Sequence, residues 1–397
     1  MVLKEERIFF YLYIVMYTNG IDLIVKDPIS FQNKKWALVT NDAAYTKNGT
    51  YSRLALIRAG ISITKLFSPE HGIDAQGADG TKQDNRIDPL TCLPVISLYG
   101  GGSWLPQKAD LEDVDGVLFD IPDIGCRYYT YLWTMTCVME ACEKYGKPLM
   151  ILDRPNPTGT MLEDAEGPWL DEIRCSSFIG RWNIPVVHAC TLGELANYFA
   201  GEKFPDLLLE IIRVRDYSRS ARTLQHPFLP TSPAMQTLET TLLYPGTCLF
   251  EGVNINEGRG TVHPFMQFGA PWLNTVKLMA SLDSSFFKGI DCNVVRFLAV
   301  SNPYENEYCE GIIFKIKDAK SVRPVRMGIH LLQQIAKLHP DKFSERLYRT
   351  FANPAGTGHL DKLLGVQYSF EKIKSDYSFM LDVHVEWENR ISKYLLY

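Results

Sequence analysis

The first 155 residues alternate between short apolar runs and longer segments with the periodicity of amphipathic helices. Residues 50–60 and 129–146 predict helices, and each of these segments ends at a glycine. The apolar runs predict strands at residues 35–41, 61–67, 93–100, 114–121 and 147–153. Because strands that alternate with helices form mostly parallel sheets covered by helices on both faces, the sequence indicates an α/β fold.

The rest of the chain predicts a helix at 192–202, a strand at 207–217 and one long irregular loop. That loop, residues 244–265, is dense in Gly, Asn, Glu and Arg. Loops of this length are uncommon in compact domains unless they are functional. The tail predicts a smaller α+β unit, so we divide the chain into domains at 1–265 and 266–397.

The charge and the cysteines narrow the classes of function. A net charge of −5 argues against nucleic-acid binding, which usually needs a basic surface. The nine cysteines are scattered without metal-finger spacing, so we expect most of them to be reduced residues of the core. Reduced cysteines are typical of a reducing compartment. We therefore expect a cytoplasmic protein.

The N-terminus leaves an alternative location open. Lys4 and Arg7 precede an apolar run, Ile8–Tyr17, that has some features of an export signal but is too short to span a bilayer. This run predicts either a first strand or, if residues 1–18 act as a signal, an exported or periplasmic protein. Stable membrane insertion is not expected.

Polar loops follow four of the predicted strands. They read "SPEHG" (68–72), "YGGGSW" (99–104), "IPDIGCRYY" (121–129) and "DRPNPTG" (153–159). In open parallel sheets, ligands bind beyond the carboxyl ends of the strands. The sequence therefore predicts a ligand site formed by these loops.

The usual signatures of nucleotide and metal enzymes are missing from the sequence. No GxGxxG follows a strand, and GxxxxGK[ST], HExxH and GxSxG do not occur. His71, His188 and His263 lack the spacing of metal ligands on one helix face. We expect neither a cofactor nor a metal ion.

Acidic residues in these loops indicate the chemistry of glycoside hydrolysis. That reaction needs a carboxylic acid to protonate the leaving oxygen, and usually a second carboxylate, although 2-acetamido sugars can use their own carbonyl. Glu70 is the first candidate, because partial burial between a proline and His71 would favour its protonated form. Glu166, Glu251 and Glu257 are the other candidates.

Aromatic and arginine side chains near the same loops fit a charged sugar. The aromatic residues are Trp104, Tyr128, Tyr129, Tyr131, Trp133 and Trp169, of which Tyr131 and Trp133 fit a helix core equally well. The guanidinium groups of Arg127, Arg154 and Arg259 could each bind a ligand carboxylate. Structural ion pairs with Asp120, Asp123 or Asp153 are the equal alternative.

With these motifs in order, the sequence resembles the NamZ-like exo-β-N-acetylmuramidases, a family of bacterial glycoside hydrolases. The resemblance runs from "NGIDLIVKD" (19–27) to "RISKYLLY" (390–397). It rests on "LFSPEHG" (66–72), "SLYG" (97–100), "FDIPDIGCRYYTY" (119–131), "DRPNPTG" (153–159), "EGPWL" (166–170) and the stretch 237–265.

The resemblance implies a fold, a substrate and roles for individual residues. It implies a Rossmann-like N-terminal domain, a smaller C-terminal domain and an active site in the cleft between them. It also implies release of terminal N-acetylmuramic acid from the non-reducing end of peptidoglycan fragments during cell-wall turnover. Glu70 is then the expected catalytic acid, with Glu166, Glu251 or Glu257 as the second acid. The expected substrate-binding residues are His71, Arg127, Tyr129, Arg154, Asn254 and Arg259.

Some positions depart from the family pattern. Pro122 replaces a usual glutamine, Ala189 and Cys190 replace Gly-Met, and Val253 and Asn256 replace Thr and Ser. A proline removes a hydrogen-bond donor, so these changes bear on specificity. They keep open the alternative of a sugar-binding protein with weakened catalysis on the same fold. The stereochemical course of hydrolysis and the oligomeric state also stay open.

Overall fold

The computed structural model describes residues 17–100, 104–220, 228 and 230–397. Of the predicted first strand, all but Tyr17 lies outside these ranges, and of the alternative export signal, all but Tyr17 and Thr18. The described chain forms two units, one around a seven-stranded sheet and a smaller one around a three-stranded sheet. The predicted α/β class with a smaller second domain is confirmed.

The N-terminal sheet is parallel except at one edge. Its strand order is β3-β4-β2-β1-β5-β6-β7, and only β3 pairs antiparallel, with β4. The strands are β1 (Lys35–Thr40), β2 (Ser62–Ser68), β3 (Arg86–Ile87), β4 (Pro94–Ser97), β5 (Gly116–Asp120), β6 (Leu149–Leu152) and β7 (Leu209–Ile212). The six longer strands confirm the predicted strands of this region, and each begins and ends within a few residues of the expected bounds.

Alternating side chains of the sheet build two separate cores. Trp36 and Leu38 of β1 pack with residues of α1 and α2, whereas Ala37 and Val39 pack with residues of α4 and α5. This period of two is the consequence of strand geometry and covers both faces of the sheet. The helices of this domain are α1 (Gly20–Lys26), α2 (Ser52–Arg58), α3 (Lys108–Leu111), α4 (Thr130–Lys144) and α5 (Leu192–Lys203).

The carboxyl ends of the central strands meet at one edge. Thr40 of β1 lies opposite Asp120 of β5, and Ser68 of β2 lies opposite Ser97 of β4. The polar loops that follow these strands therefore leave from one side of the sheet, as the sequence predicts.

The C-terminal domain, counted here from the start of α6 rather than from the predicted division at residue 265, packs its helices around a small antiparallel sheet of order β8-β10-β9. Its elements are α6 (Leu238–Thr247), β8 (Gln267–Ala270), α7 (Thr275–Ser281), β9 (Ile290–Leu298), β10 (Tyr308–Ile316), α8 (Pro324–Leu338), α9 (His359–Leu364), α10 (Ser369–Lys374) and α11 (His384–Ile391). The prediction that residues 244–265 are irregular throughout is wrong at their start, because α6 continues through Pro245.

Two glycines explain why α6 continues and packs closely on α8. A Cβ atom added at Gly246 would lie 1.9 Å from the carbonyl oxygen of Pro324, and one added at Gly328 would lie 2.3 Å from the carbonyl oxygen of Gly246. The two backbones thus cross in direct contact, and this tertiary packing holds the helix across Pro245 despite the low helix propensity of proline.

In the described part of the chain, every helix is too short or too polar to cross a bilayer. All nine cysteines are free, and seven of them are buried. The prediction that most cysteines are reduced core residues is confirmed.

Candidate active site

A cleft of about 750 Å³ lies between the two domains. The N-terminal domain lines it with the loop after β2, the start of α4 and residues 177–179. The C-terminal domain lines it with Glu251, Arg259 and side chains between residues 348 and 363. The cleft is therefore located where the polar loops at the strand ends face the second domain.

Glu70 enters this cleft from the end of β2 and is held by neutral donors. Its Oε1 accepts a hydrogen bond of 2.7 Å from the backbone N–H of Gly80, and its Oε2 accepts one of 2.7 Å from the hydroxyl of Thr130. The residue is only 7% exposed. Burial, and then the adjacent Glu70 carboxylate, raise the pKa of Tyr99, whose hydroxyl also bonds to Glu70.

The glycine-rich loop after Glu70 joins the two domains at Gly80. While its N–H donates to Glu70, its carbonyl accepts a hydrogen bond of 2.7 Å from the N–H of Phe351. Gly80 has a φ of +63°, and a Cβ there would lie 2.6 Å from the side chain of Thr350. Glycine is thus required at this position both by its backbone conformation and by the contact with the second domain.

Arg259 binds three carboxylates at the floor of the cleft. Its Nη1 lies 3.2 Å from Asp79 Oδ1, its Nε lies 3.2 Å from Glu257 Oε1, and its Nη2 contacts Glu251 Oε1. The guanidinium also lies 4.8 Å from the ring centroid of Phe265. Because Asp79 belongs to the N-terminal loop, this network ties the loop to the C-terminal domain.

The charges of this network set the protonation of its acids. Burial is the largest single influence on the pKa of Asp79 and of Glu251, and it acts to raise each of them. The charge of Arg259 outweighs burial only together with further contacts, above all the hydrogen bond from Tyr348 to Asp79 and that from His359 to Glu251, so each pKa lies below its usual value. Burial raises the pKa of Glu257 above its usual value against the charges of Arg259 and Arg346. Asp79 and Glu251 therefore face the cleft as carboxylates.

His359 and Tyr348 complete this side of the cleft. His359 Nε2 lies 3.1 Å from Glu251 Oε2, and the ring of Tyr348 stacks on His359 with centroids 4.4 Å apart. The Tyr348 hydroxyl donates a hydrogen bond to Asp79. The sequence analysis missed Asp79, Tyr348 and His359. The signals available were a second acid in the Glu70 loop and a glycine-rich turn, "AGTGHLDK", before α9.

Among the described residues, three acids line the cleft, and Glu70 alone of them has no ion-pair partner. Asp79 and Glu251 share Arg259, as described above. The arrangement therefore separates one carboxyl group with neutral hydrogen-bond donors from two carboxylates that are ion-paired.

Two further predicted residues lie in the cleft beside Glu70. The Nδ1 of His71 bonds to the carbonyl oxygen of Gly77 at 2.7 Å, with the histidine backbone at a φ of +68°. The hydroxyl of Tyr129 donates to the hydroxyl of Thr231. The structure thus brings five predicted residues together, namely Glu70, His71, Tyr129, Glu251 and Arg259.

Aromatic rings form much of the remaining cleft surface. The lining rings are Tyr99, Tyr128, Tyr129, Phe178, Tyr244, Phe265 and Tyr348. Trp104 lies behind this surface and stacks on Phe178 with ring centroids 4.1 Å apart. Of the other predicted aromatic residues, Tyr131 and Trp133 are buried in the core, and Trp169 packs against Trp387.

Arg127 lies outside the cleft and is completely buried. Its Nη1 donates to the carbonyl oxygens of Pro168 and Ile184 at 2.7 and 2.8 Å, and its Nη2 donates to that of Leu363 at 2.9 Å. Burial lowers the pKa of Arg127 to about 10. Because Leu363 belongs to α9, this guanidinium links the N-terminal domain to a helix that lines the cleft.

Arg154 and Asn254 have structural partners away from the cleft. Arg154 makes a two-point contact with Asp120, at 2.6 and 3.0 Å, and lines a second cavity that also contains Pro122. The side chain of Asn254 donates to the carbonyl oxygen of Lys342 at 2.8 Å and accepts from the N–H of Ser344 at 2.9 Å. For Arg154, the structural ion pair with Asp120 is the alternative that the geometry favours.

Glu166 lies at the N-terminus of α8 rather than in the cleft. Its Oε2 accepts a hydrogen bond of 3.0 Å from the N–H of Val325, and its Oε1 accepts one of 3.4 Å from the N–H of Arg326. Burial raises the pKa of Glu166 to about 7, against these two donors. A carboxyl group at this position binds free N–H groups of the first helical turn and joins the two domains.

The raised pKa of Glu166 predicts a pH-dependent stability. Below pH 4.5 the Glu166 carboxyl group is protonated in both the folded and the unfolded protein. Between pH 4.5 and 7 it keeps its proton only in the folded protein. The stabilising contribution is therefore lost as the pH rises through about 7, with an amplitude of about 3 kcal/mol. Urea unfolding of wild type and Glu166→Gln should show a difference in unfolding free energy that changes across this window. Glu163→Gln, at an exposed position, is the control, and a difference that does not depend on pH would contradict the prediction.

A carboxyl group without an ion pair, two ion-paired carboxylates and aromatic rings around one interdomain cleft are features of enzymes that cleave glycosidic bonds. Comparison with known proteins identifies the family. Sequence models of the exo-β-N-acetylmuramidase NamZ match the chain with the N-terminal domain at residues 36–239 and the C-terminal domain at residues 242–397. The chain belongs to the NamZ family of glycoside hydrolases.

Individual relatives agree with this assignment. The chain is 34% identical over 383 residues to the peptidoglycan β-N-acetylmuramidase NamZ of Bacillus subtilis, covering 96% of this chain and 91% of that protein. Two crystal structures of DUF1343 family proteins from Bacteroides fragilis share the fold at 25% identity, with TM-scores of 0.83 and 0.69. Both matches cover 96% of this chain, and they cover 99% and 96% of the two solved chains. The division at residue 265 stays a prediction.

Proposed function

We propose that this protein is an exo-acting glycoside hydrolase that releases terminal N-acetylmuramic acid from the non-reducing end of peptidoglycan fragments. Glu70 is the general acid in this proposal. The observation that carries it is the position of Glu70, which among the described residues is the one acid lining the cleft that has no ion-pair partner. Membership of the NamZ family supports the substrate.

The surroundings of Glu70 suit a group that must give up a proton and later regain one. When Glu70 is a carboxylate, Gly80 and Thr130 donate to its two oxygens. When it is protonated, the Thr130 hydroxyl can turn and accept, because a hydroxyl is both donor and acceptor. A sugar that fills the cleft displaces water and favours the neutral form. The proton then passes to the glycosidic oxygen as its bond to the anomeric carbon breaks.

Glu251 is the leading candidate for the second carboxylate of the reaction, the one that assists the general acid. It faces the cleft as a carboxylate held by Arg259 and His359, so its negative charge is available to the positive charge that develops on the sugar ring. It could act as a base on water or as a nucleophile, and the 2-acetamido carbonyl of the substrate could take the nucleophilic role. The configuration of the first product, followed by NMR, separates inversion from the two retaining routes.

The test of this function is hydrolysis of defined glycosides by the purified protein. We expect release of 4-nitrophenol from its β-N-acetylmuramic acid glycoside. We also expect single N-acetylmuramic acid units from peptidoglycan chains that carry this sugar at the non-reducing end, and much slower release from chains capped there by N-acetylglucosamine. Binding of N-acetylmuramic acid without any turnover would overturn the proposal and would indicate a sugar-binding protein on the same fold.

A further inference from the structure

The cations that line the cleft differ in how far they are already neutralised. Arg259 contacts three carboxylates and the face of Phe265, and His359 contacts Glu251. Lys362 on α9 also lines the cleft, but in the part of the chain that the structure describes it has no ion pair. Its Nζ donates one hydrogen bond, of 3.1 Å, to the carbonyl oxygen of Thr357.

The neighbouring acid of Lys362 is engaged elsewhere. The two carboxylate oxygens of Asp361 accept hydrogen bonds of 3.0 and 2.7 Å from the N–H groups of Tyr368 and Ser369, at the start of α10. Burial lowers the pKa of Lys362, with Asp361 acting in the opposite direction. Lys362 is therefore a half-buried cation whose charge lacks a close partner in the described chain, and such a group gains most from an anionic ligand.

The substrate of the proposed function supplies one anionic group that this cleft must accommodate. N-acetylmuramic acid differs from N-acetylglucosamine by a lactyl ether that ends in a carboxylate. Glu70, Asp79 and Glu251 would repel that carboxylate, and Arg259 is already saturated by acids of the protein. The remaining ammonium group, with three hydrogens and a flexible stem, fits the task.

We propose that Lys362 binds the lactyl carboxylate and selects N-acetylmuramic acid over N-acetylglucosamine. This inference rests on the proposed function. It assigns Lys362 to specificity and leaves the proton transfer to Glu70. The backbone next to Lys362 is held by Arg127, which donates to the carbonyl oxygen of Leu363.

The experiment compares two substrates that differ only in the lactyl group. We would measure kcat and KM of wild type, Lys362→Met and Lys362→Arg with the 4-nitrophenyl β-glycosides of N-acetylmuramic acid and N-acetylglucosamine. Lys362→Met should lower kcat/KM on the muramic substrate about 10- to 100-fold, the scale of one charge-assisted hydrogen bond, mainly through KM. On the glucosamine substrate it should change kcat/KM less than about threefold. Lys362→Arg should restore much of the loss, and Lys277→Met, at an exposed position of α7, should behave as wild type.

A direct measurement of sugar binding tests the role of Lys362 independently of the proposed hydrolase activity. Calorimetry with free N-acetylmuramic acid should show a dissociation constant about tenfold or more higher for Lys362→Met than for wild type, whether or not the protein turns over a glycoside. Equal losses on both substrates, or unchanged binding of the muramic sugar, would overturn the assignment of Lys362. Absence of turnover by wild type with weakened binding by Lys362→Met would overturn the proposed hydrolase and leave the assignment standing.

Discussion

Replacement of Glu70 by glutamine is expected to lower kcat by about 10²- to 10⁴-fold, the contribution of a general acid. Glutamine keeps the size of the side chain, and its amide can accept from the Gly80 N–H and donate to the Thr130 hydroxyl. The variant should therefore fold with an unchanged melting temperature. Steady-state kinetics with the 4-nitrophenyl β-glycoside of N-acetylmuramic acid measures the loss.

The leaving group distinguishes a general acid from a residue that only shapes the cleft. A 2,4-dinitrophenolate leaves without protonation, so the loss caused by Glu70→Gln should shrink strongly on that glycoside. Glu166→Gln is the matched control, because it removes a buried carboxyl group outside the cleft and should retain the wild-type kcat where it is folded. Equal losses of Glu70→Gln on both leaving groups would contradict the assignment, and unchanged turnover would move the acid to Glu251 or another carboxyl group.

Replacement of Arg259 by methionine should destabilise the folded protein by about 3–5 kcal/mol, because it leaves buried carboxylates without their partner. The affected acids are Asp79, Glu251 and Glu257. Urea unfolding at pH 7 measures the change. Once the cation is gone, burial raises the pKa of these acids in the folded state, so the destabilisation should diminish as the pH falls and they bind protons.

An exposed arginine provides the comparison for Arg259. Arg296 contacts one acid, Glu310, at 3.2 Å on the surface of the small sheet. Arg296→Met should cost no more than about 1 kcal/mol, as is usual for exposed ion pairs. A similar small loss for Arg259→Met would show that the three acids are protonated or solvated rather than paired.

Local sequence patterns carried most of the information about the fold. The unbroken apolar run from Trp36 to Val39 is enough to indicate a strand that is buried on both faces, and the structure divides its side chains between the two cores. Helix α6 was not predicted, because a proline such as Pro245 normally ends a helix. The helix continues through Pro245 where Gly246 packs against α8, a contact that the sequence does not show.

The site was predictable only in part because motifs do not show where a side chain points. Glu70 follows its strand directly, so its place at the sheet edge is a consequence of the topology. Glu166 and Arg127 belong to equally distinctive motifs, yet Glu166 accepts from backbone groups of α8 and Arg127 donates to one of α9, each more than 150 residues away in the chain. His359 is likewise 108 residues from its partner Glu251. The contacts of Glu166 and Arg127 follow from domain docking, and that of His359 follows from packing within the C-terminal domain. Spacing within a single sequence encodes neither.

The contact of Arg127 with α9 bears on how this cleft can diverge during evolution. Arg127 binds main-chain carbonyl oxygens, including that of Leu363, and no side chain of the C-terminal domain takes part in that contact. Substitutions along α9 can therefore alter the chemistry presented to a ligand while the docking of the helix is preserved. An enzyme built this way can acquire new sugar preferences by substitutions in one short helix, while the contact between that helix and the N-terminal domain stays unchanged.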